Sequence, residues 1–249
     1  MKYLGIIFLF FVFLLPQKIA AQDATAIIKK ADEKMRGTSS KAVAIMRIVR
    51  PDWSREISMK MWSLGTKRSI VLITGPARDK GTATLMRDKE IWNWQPSIER
   101  VIKLPPSMMM QSWMGSDFTN DDLVKQSSIL KDYTHKLLKD TNITGRSCYQ
   151  IELIPFEGAP VVWGKIIMCI SKEEDLQLSS KFYDEDGYLI NTMNASKIKE
   201  MGGKIIPAYM EMIPADNPKQ KTIFEYLELE FDVDIEDSFF SIQNMKRVR

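Results

Sequence analysis

Apolar positions change their period once along the chain, near residue 37. From Asp23 to Arg36, residues Ala24, Ile27, Ile28, Ala31 and Met35 recur at helical spacing, and Gly37 supplies a stop. Beyond it the pattern alternates. Ile57, Met59 and Met61 fall on one face of a segment whose other face carries Ser58, Lys60 and Trp62. Such alternation predicts strands over 41–50, 53–64, 69–74, 81–87, 90–95 and 99–104. It resumes over 133–139, 148–154, 164–171, 176–183, 188–197, 204–213 and 222–231. Turn residues separate them: Gly75-Pro76, Asp88-Lys89, Asp184-Glu185-Asp186-Gly187, Gly202-Gly203 and the polar stretch 214–218. A terminal helical turn is predicted over 237–241.

One stretch breaks the alternation. After Pro105-Pro106, residues Met108, Met109, Met110, Trp113 and Met114 lack the β-branched neighbours of a strand and read as a short helix or an ordered loop. Thr119 or Asn120 then caps a second short helix running to Val124. These thirteen segments predict ten or more antiparallel strands, with an N-terminal helix and a helical insertion. A sheet of that size accumulates twist and must curl, giving a barrel or a strongly bent sheet whose concave face the helices fill. With no linker or repeat, residues 22–249 read as one domain.

Residues 1–21 carry a different pattern. Lys2 precedes twelve apolar or glycine residues, Leu4 to Leu15; Pro16 breaks the run and Ala20-Ala21 closes it. This is the layout of a secretory signal peptide, cleaved after Ala21, and the run falls short of the ~20 residues of a membrane span. No cysteine follows it to carry a lipid. Cleavage removes Lys2 and Lys18, lowering the formal charge from +3 to +1.

Export makes a disulfide between Cys148 and Cys169 the expected state. A hairpin centred near Gly158 would face the two cysteines and place Glu152 opposite Lys165.

Catalytic chemistry finds little support. His135 is the sole histidine, which excludes a multi-imidazole metal site, and its alternation with apolar neighbours marks it as structural. Nucleotide-binding glycine loops and a nucleophile elbow are missing. The acids at 184–186 and at Asp232, Asp234, Glu236 and Asp237 read as a turn and a strand end, without calcium-loop spacing. The reading is therefore no enzyme, no metal, no cofactor and no nucleic-acid partner. The first third is basic, from Arg47 through Arg87 and Lys89, and reads as a half-solvated sheet or as a rim facing anionic lipid or a protein.

The methionines and tryptophans leave two readings open. Met59 and Met61, Trp92 and Trp94, with the insertion's Met108, Met109, Met110, Trp113 and Met114, either fill a core or line a deformable apolar cavity under a flap.

The run Met114-Gly115-Ser116-Asp117-Phe118-Thr119-Asn120-Asp121-Asp122-Leu123 resembles a signature of the exported outer-membrane lipoprotein-sorting proteins, the LolA-like group. Its setting matches too. Trp94-Gln95-Pro96, Arg100 and Lys103 precede the Met-rich stretch, and the Cys148 strand and Trp163-Gly164-Lys165 follow. The resemblance spans essentially everything after residue 21. It implies an incomplete antiparallel barrel wrapped around helices, located in the periplasm. It also implies a monomeric carrier that binds lipid or acylated lipoprotein and works between an inner-membrane exporter and an outer-membrane acceptor. On that implication Ile57, Met59, Met61, Trp92, Trp94 and the insertion's Met108, Met109, Met110, Trp113 and Met114 contact the cargo. Gly115, Ser116, Asp117, Phe118, Asp122 and Leu123 form the signature. The rival is a structural or envelope-sensing module of the same fold, its concave face filled by its own helices.

Overall fold

The computed structural model describes residues 23–124 and 128–249. The predicted signal peptide at 1–21 lies outside the described residues. Of Leu123 only the backbone is described, within a short helix.

The first helix, α1 (Ala24–Arg36), begins where Asp23 accepts a hydrogen bond from the Thr25 amide at 2.9 Å. It ends where the Gly37 amide, at positive φ, donates to the Glu33 carbonyl. Among the described residues fourteen antiparallel strands follow. The first group is β1 (Ser39–Val49), β2 (Ser54–Leu64), β3 (Arg68–Gly75), β4 (Ala83–Arg87), β5 (Glu90–Gln95) and β6 (Arg100–Lys103). An insertion interrupts the sheet with two 3-10 turns, Pro106–Met108 and Trp113–Gly115, and the helix α2 (Asn120–Val124). The second group is β7 (Tyr133–Leu137), β8 (Thr141–Ile143), β9 (Arg146–Pro155), β10 (Lys165–Ser171), β11 (Gln177–Tyr183), β12 (Leu189–Met201), β13 (Lys204–Pro214) and β14 (Lys221–Phe231). A 3-10 turn (Asp237–Phe239) and the short helix α3 (Ile242–Met245) end the chain.

All strands join one curved sheet that does not close, in the order β6-β5-β4-β3-β2-β1-β14-β13-β12-β11-β10-β9-β7, with β8 also on β9. The pairing of β1 with β14 brings the two halves together. The short strand β8 was not predicted: Thr141–Ile143 is too brief to show alternation.

The β9–β10 hairpin is offset by two residues from the predicted register. Cys148 stands opposite Ser171, and Cys169 opposite Gln150. The cysteines are thus diagonal neighbours, both buried and both free thiols. Diagonal positions lie beyond the 3.5–4.5 Å Cβ separation that a disulfide needs. The expected disulfide is therefore corrected to two buried thiols, which pack with Leu176 and Leu178. Burial pushes both thiols above their ordinary value. The same offset moves Glu152 away from Lys165. Glu152 instead faces Ile167 and Lys136, and Lys165 lies 4.3 Å from the Tyr183 ring centroid.

Candidate functional site

Pairing carries one face unbroken across the sheet. Met168, Ser180, Met193, Met212, Thr222 and Ile48 follow one another in register from β10 to β1. The next row runs Met210, Phe224, Met46 and Ile57. This face is covered twice. At one side α1 lays Ala24, Ile27, Ile28 and Ala31 against Ile151, Leu153, Ile166, Met168 and Ile170. At the other side the insertion drives Trp113, 5% exposed, among Ala44, Met46, Ile48, Ile57, Met59, Val71 and Ile73.

Between the covers lie side chains that neither cover completes. Met193, Met210, Phe224, Tyr226 and Met61 are half-buried on this face. Phe224 and Tyr226 meet edge to face, with centroids 5.0 Å apart. Tyr226 and Met61 touch both the Trp113 cluster and a second one containing Met35 at the end of α1. Burial pushes the Tyr226 hydroxyl above its ordinary value. Sequence reasoning missed Met193, Met210, Phe224 and Tyr226. Their alternation was visible, but it became a floor only once β12–β14 were placed between the two covers.

The insertion is held by polar bonds that the signature residues supply. Arg50, at the end of β1, donates from both terminal nitrogens to the Asp117 carboxylate at 2.9 and 3.1 Å. The side chains are 14% and 10% exposed. Asp117 also accepts from the Thr222 hydroxyl at 2.6 Å, and its amide donates back to that hydroxyl at 2.9 Å. Ser116 donates to the Trp113 carbonyl, and the Trp113 amide donates to Phe118. Met114 and Gly115 both take positive φ there, which turns the chain so that Trp113 points into the sheet. Phe118 packs partly buried against the Trp113 cluster. Asp122 and Thr119 exchange hydrogen bonds in a box before α2. Asp122 also accepts from the Trp163 indole at 3.3 Å. Burial pushes the Asp122 carboxyl above its ordinary value, against these bonds.

The methionines of the insertion do not pack as one unit. Met109 packs on Met86, Ile91 and Leu104, and Met114 on the Trp113 cluster. Met108 and Met110 face solvent, Met110 at 60%. Trp92 and Trp94 lie elsewhere. They pair with Leu85 and Ala83 and turn to the opposite face, against Trp62, Ile70 and the C-terminal Phe240 and Met245. They therefore do not share a face with Ile57, Met59 and Met61. Two grooves, of about 690 and 630 Å³, lie on that opposite face as well. His135 lies under α1: its Nε2–H donates to the Ile129 carbonyl at 2.6 Å, and its Nδ1 is hydrogen-bonded to the Thr25 hydroxyl at 2.9 Å.

A family model described as "Uncharacterized protein" matches residues 65–247. No curated protein matches the sequence. Among solved structures, a LolA superfamily protein from Nitrosomonas europaea is 25% identical, with a TM-score of 0.76 over 90% of this chain and 99% of its own. A domain named for outer membrane lipoprotein sorting, from Vibrio parahaemolyticus, is 22% identical, with a TM-score of 0.80 over 90% and 98%. A DUF1329 family protein from Desulfovibrio piger is 21% identical, with a TM-score of 0.82 over 89% and 97%.

Proposed function

We propose that this chain, which belongs to the family whose model spans residues 65–247 and shares the fold of a LolA superfamily protein, is a non-enzymatic periplasmic carrier of lipid or acylated lipoprotein. On this reading residues 1–21 are removed on export and residues 22–249 form the working unit. The cargo is handed from an exporter in the inner membrane towards an acceptor in the outer membrane.

One observation carries the reading: the floor of Met61, Met193, Met210, Phe224 and Tyr226, half-buried between α1 and the Trp113 insertion. An acyl chain in water costs ~0.8 kcal/mol per CH₂, so any surface that covers it binds it. Three flexible methionines adapt to chains of different length and bend. Thr222 on this face is already bonded to Asp117, so its hydroxyl is not offered to a substrate. Cargo release then needs only movement of a cover, and the Arg50–Asp117–Thr222 bonds decide how firmly the insertion is held.

Native mass spectrometry of the protein purified from the periplasm of the cells that make it tests the proposal. The carrier reading expects bound lipid or acyl peptide, lost on substituting Met210 and Phe224 by aspartate. A bare mass for the wild type would favour the rival module, in which the covers alone occupy the face.

A further inference from the structure

The opposite face carries a surface that the carrier reading does not use. Two parts of the chain far apart in sequence meet there: the β4–β5 hairpin and the C-terminal segment around α3. The Lys246 ammonium sits 5.4 Å from the Trp94 ring centroid, and that of Lys103 sits 5.5 Å from Trp92. Phe240, Met245 and Val248 pack into the cluster that also holds Trp92 and Trp94. Arg87, Lys89, Trp92 and Ile242 line one groove of about 630 Å³. Ile242, 41% exposed, projects beside them.

The charges of this patch do not cancel. Around the groove of Trp92 and Ile242 its acids are Asp88, Glu90 and Asp237, while Glu230, Asp234 and Glu236 line the separate groove of the same face. Arg68 takes Asp88 and Asp237, Arg87 also reaches Asp237, and Lys103 pairs with Glu90. That leaves Lys89, Lys246 and Arg247 exposed and without an ion pair among the described residues. On a chain of nearly neutral charge this is a concentrated cationic site.

We propose that this face docks on an anionic phospholipid bilayer. Indoles with amines over their rings, an exposed isoleucine and unpaired cations are the chemistry of a membrane interface. The rings and Ile242 enter the headgroup boundary, and the ammonium and guanidinium groups meet lipid phosphates. The groove is lined by Arg87 and Lys89 as well as Asp88 and Glu90, and Lys246 and Arg247 add positive charge beside it. That suits a fluid surface with many equivalent anions, and a single acidic protein would need fixed partners for each. Docking by this face leaves the opposite face, with α1 and the insertion, free to move.

The test is co-sedimentation of the purified protein with vesicles of phosphatidylcholine alone and of phosphatidylcholine mixed equally with phosphatidylglycerol. Wild type is expected to bind only the mixed vesicles, more weakly as salt rises. The triple variant Lys89→Glu, Lys246→Glu, Arg247→Glu should lose binding by about a hundredfold or more, at roughly fivefold per charge removed. A control, Lys131→Glu with Lys219→Glu in loops away from the patch, should bind as wild type does. Thermal melting of both variants establishes that they fold. Ile242→Ser provides a second arm: it keeps every charge and should still weaken binding. Failure of wild type to bind mixed vesicles overturns the proposal, as does equal binding by the folded triple variant. Binding to an acidic protein without vesicle binding overturns it in favour of a protein partner.

Discussion

Arg50 and Asp117 stand 67 residues apart in sequence and meet at 2.9 Å. Neither motif spacing nor hydropathy predicted that pair; only the resemblance singled out Asp117, and only the fold gives it a partner. Both groups are mostly buried, so removing one leaves the other desolvated and uncompensated. Arg50→Ala should cost roughly 3–5 kcal/mol, read from the midpoint of urea unfolding. Arg50→Lys keeps the charge without the two-pronged geometry and should fall between. A midpoint unchanged in Arg50→Ala would show that the pair does not hold the insertion. The cysteines give a second residue-scale prediction. Unfolded in denaturant without reductant, the protein should take up two equivalents of alkylating reagent. Uptake only after reduction would restore the disulfide that the hairpin centre had suggested. The sequence estimate of that centre failed because Pro155 to Lys165 is a long connection, and loop length, invisible to alternation, sets register.

At the scale of elements, α1 and the strands were largely legible, since helical and alternating periods are strong signals. Which face of the sheet a strand shows is not part of that signal. Trp92 and Trp94 share a face of β5, as alternation says, but pairing with Leu85 and Ala83 sends that face away from Ile57 and Met59. The C-terminal segment that covers them was read only as one helical turn. The insertion has its own pH dependence. Because burial raises the Asp122 carboxyl in the folded chain, its contribution to stability is fully present below the ordinary value near 3.9. It is lost as pH rises through the raised value. Relative to Asp122→Asn, the wild type should therefore gain melting temperature as pH falls through this window. Parallel melting curves for the two proteins would contradict the assignment. Trp113→Ala should cost about 3–5 kcal/mol, since it empties a cluster drawn from three strands.

For the molecule as a whole, the two faces of one sheet carry different surfaces. One carries α1, the insertion and the half-buried floor; the other carries the C-terminal segment and the basic, indole-rich patch. The curvature of the sheet was predictable from strand number, because twist forces so many strands to curl, while its staying open was implied only by the resemblance. The floor was not, because Met193, Met210, Phe224 and Tyr226 come from three strands whose order in the sheet no local pattern fixes. The central claim is that this floor holds an acyl chain. Titration with a fluorescent long-chain fatty acid measures it most directly, on wild type, on Met210→Asp and Phe224→Asp, and on Leu227→Asp, an exposed position of β14. The account predicts saturable binding that falls at least about tenfold in the two floor variants, since a buried charge opposes an apolar ligand, and is unchanged in Leu227→Asp. Equal affinity in all four folded proteins, or none in wild type, would contradict it.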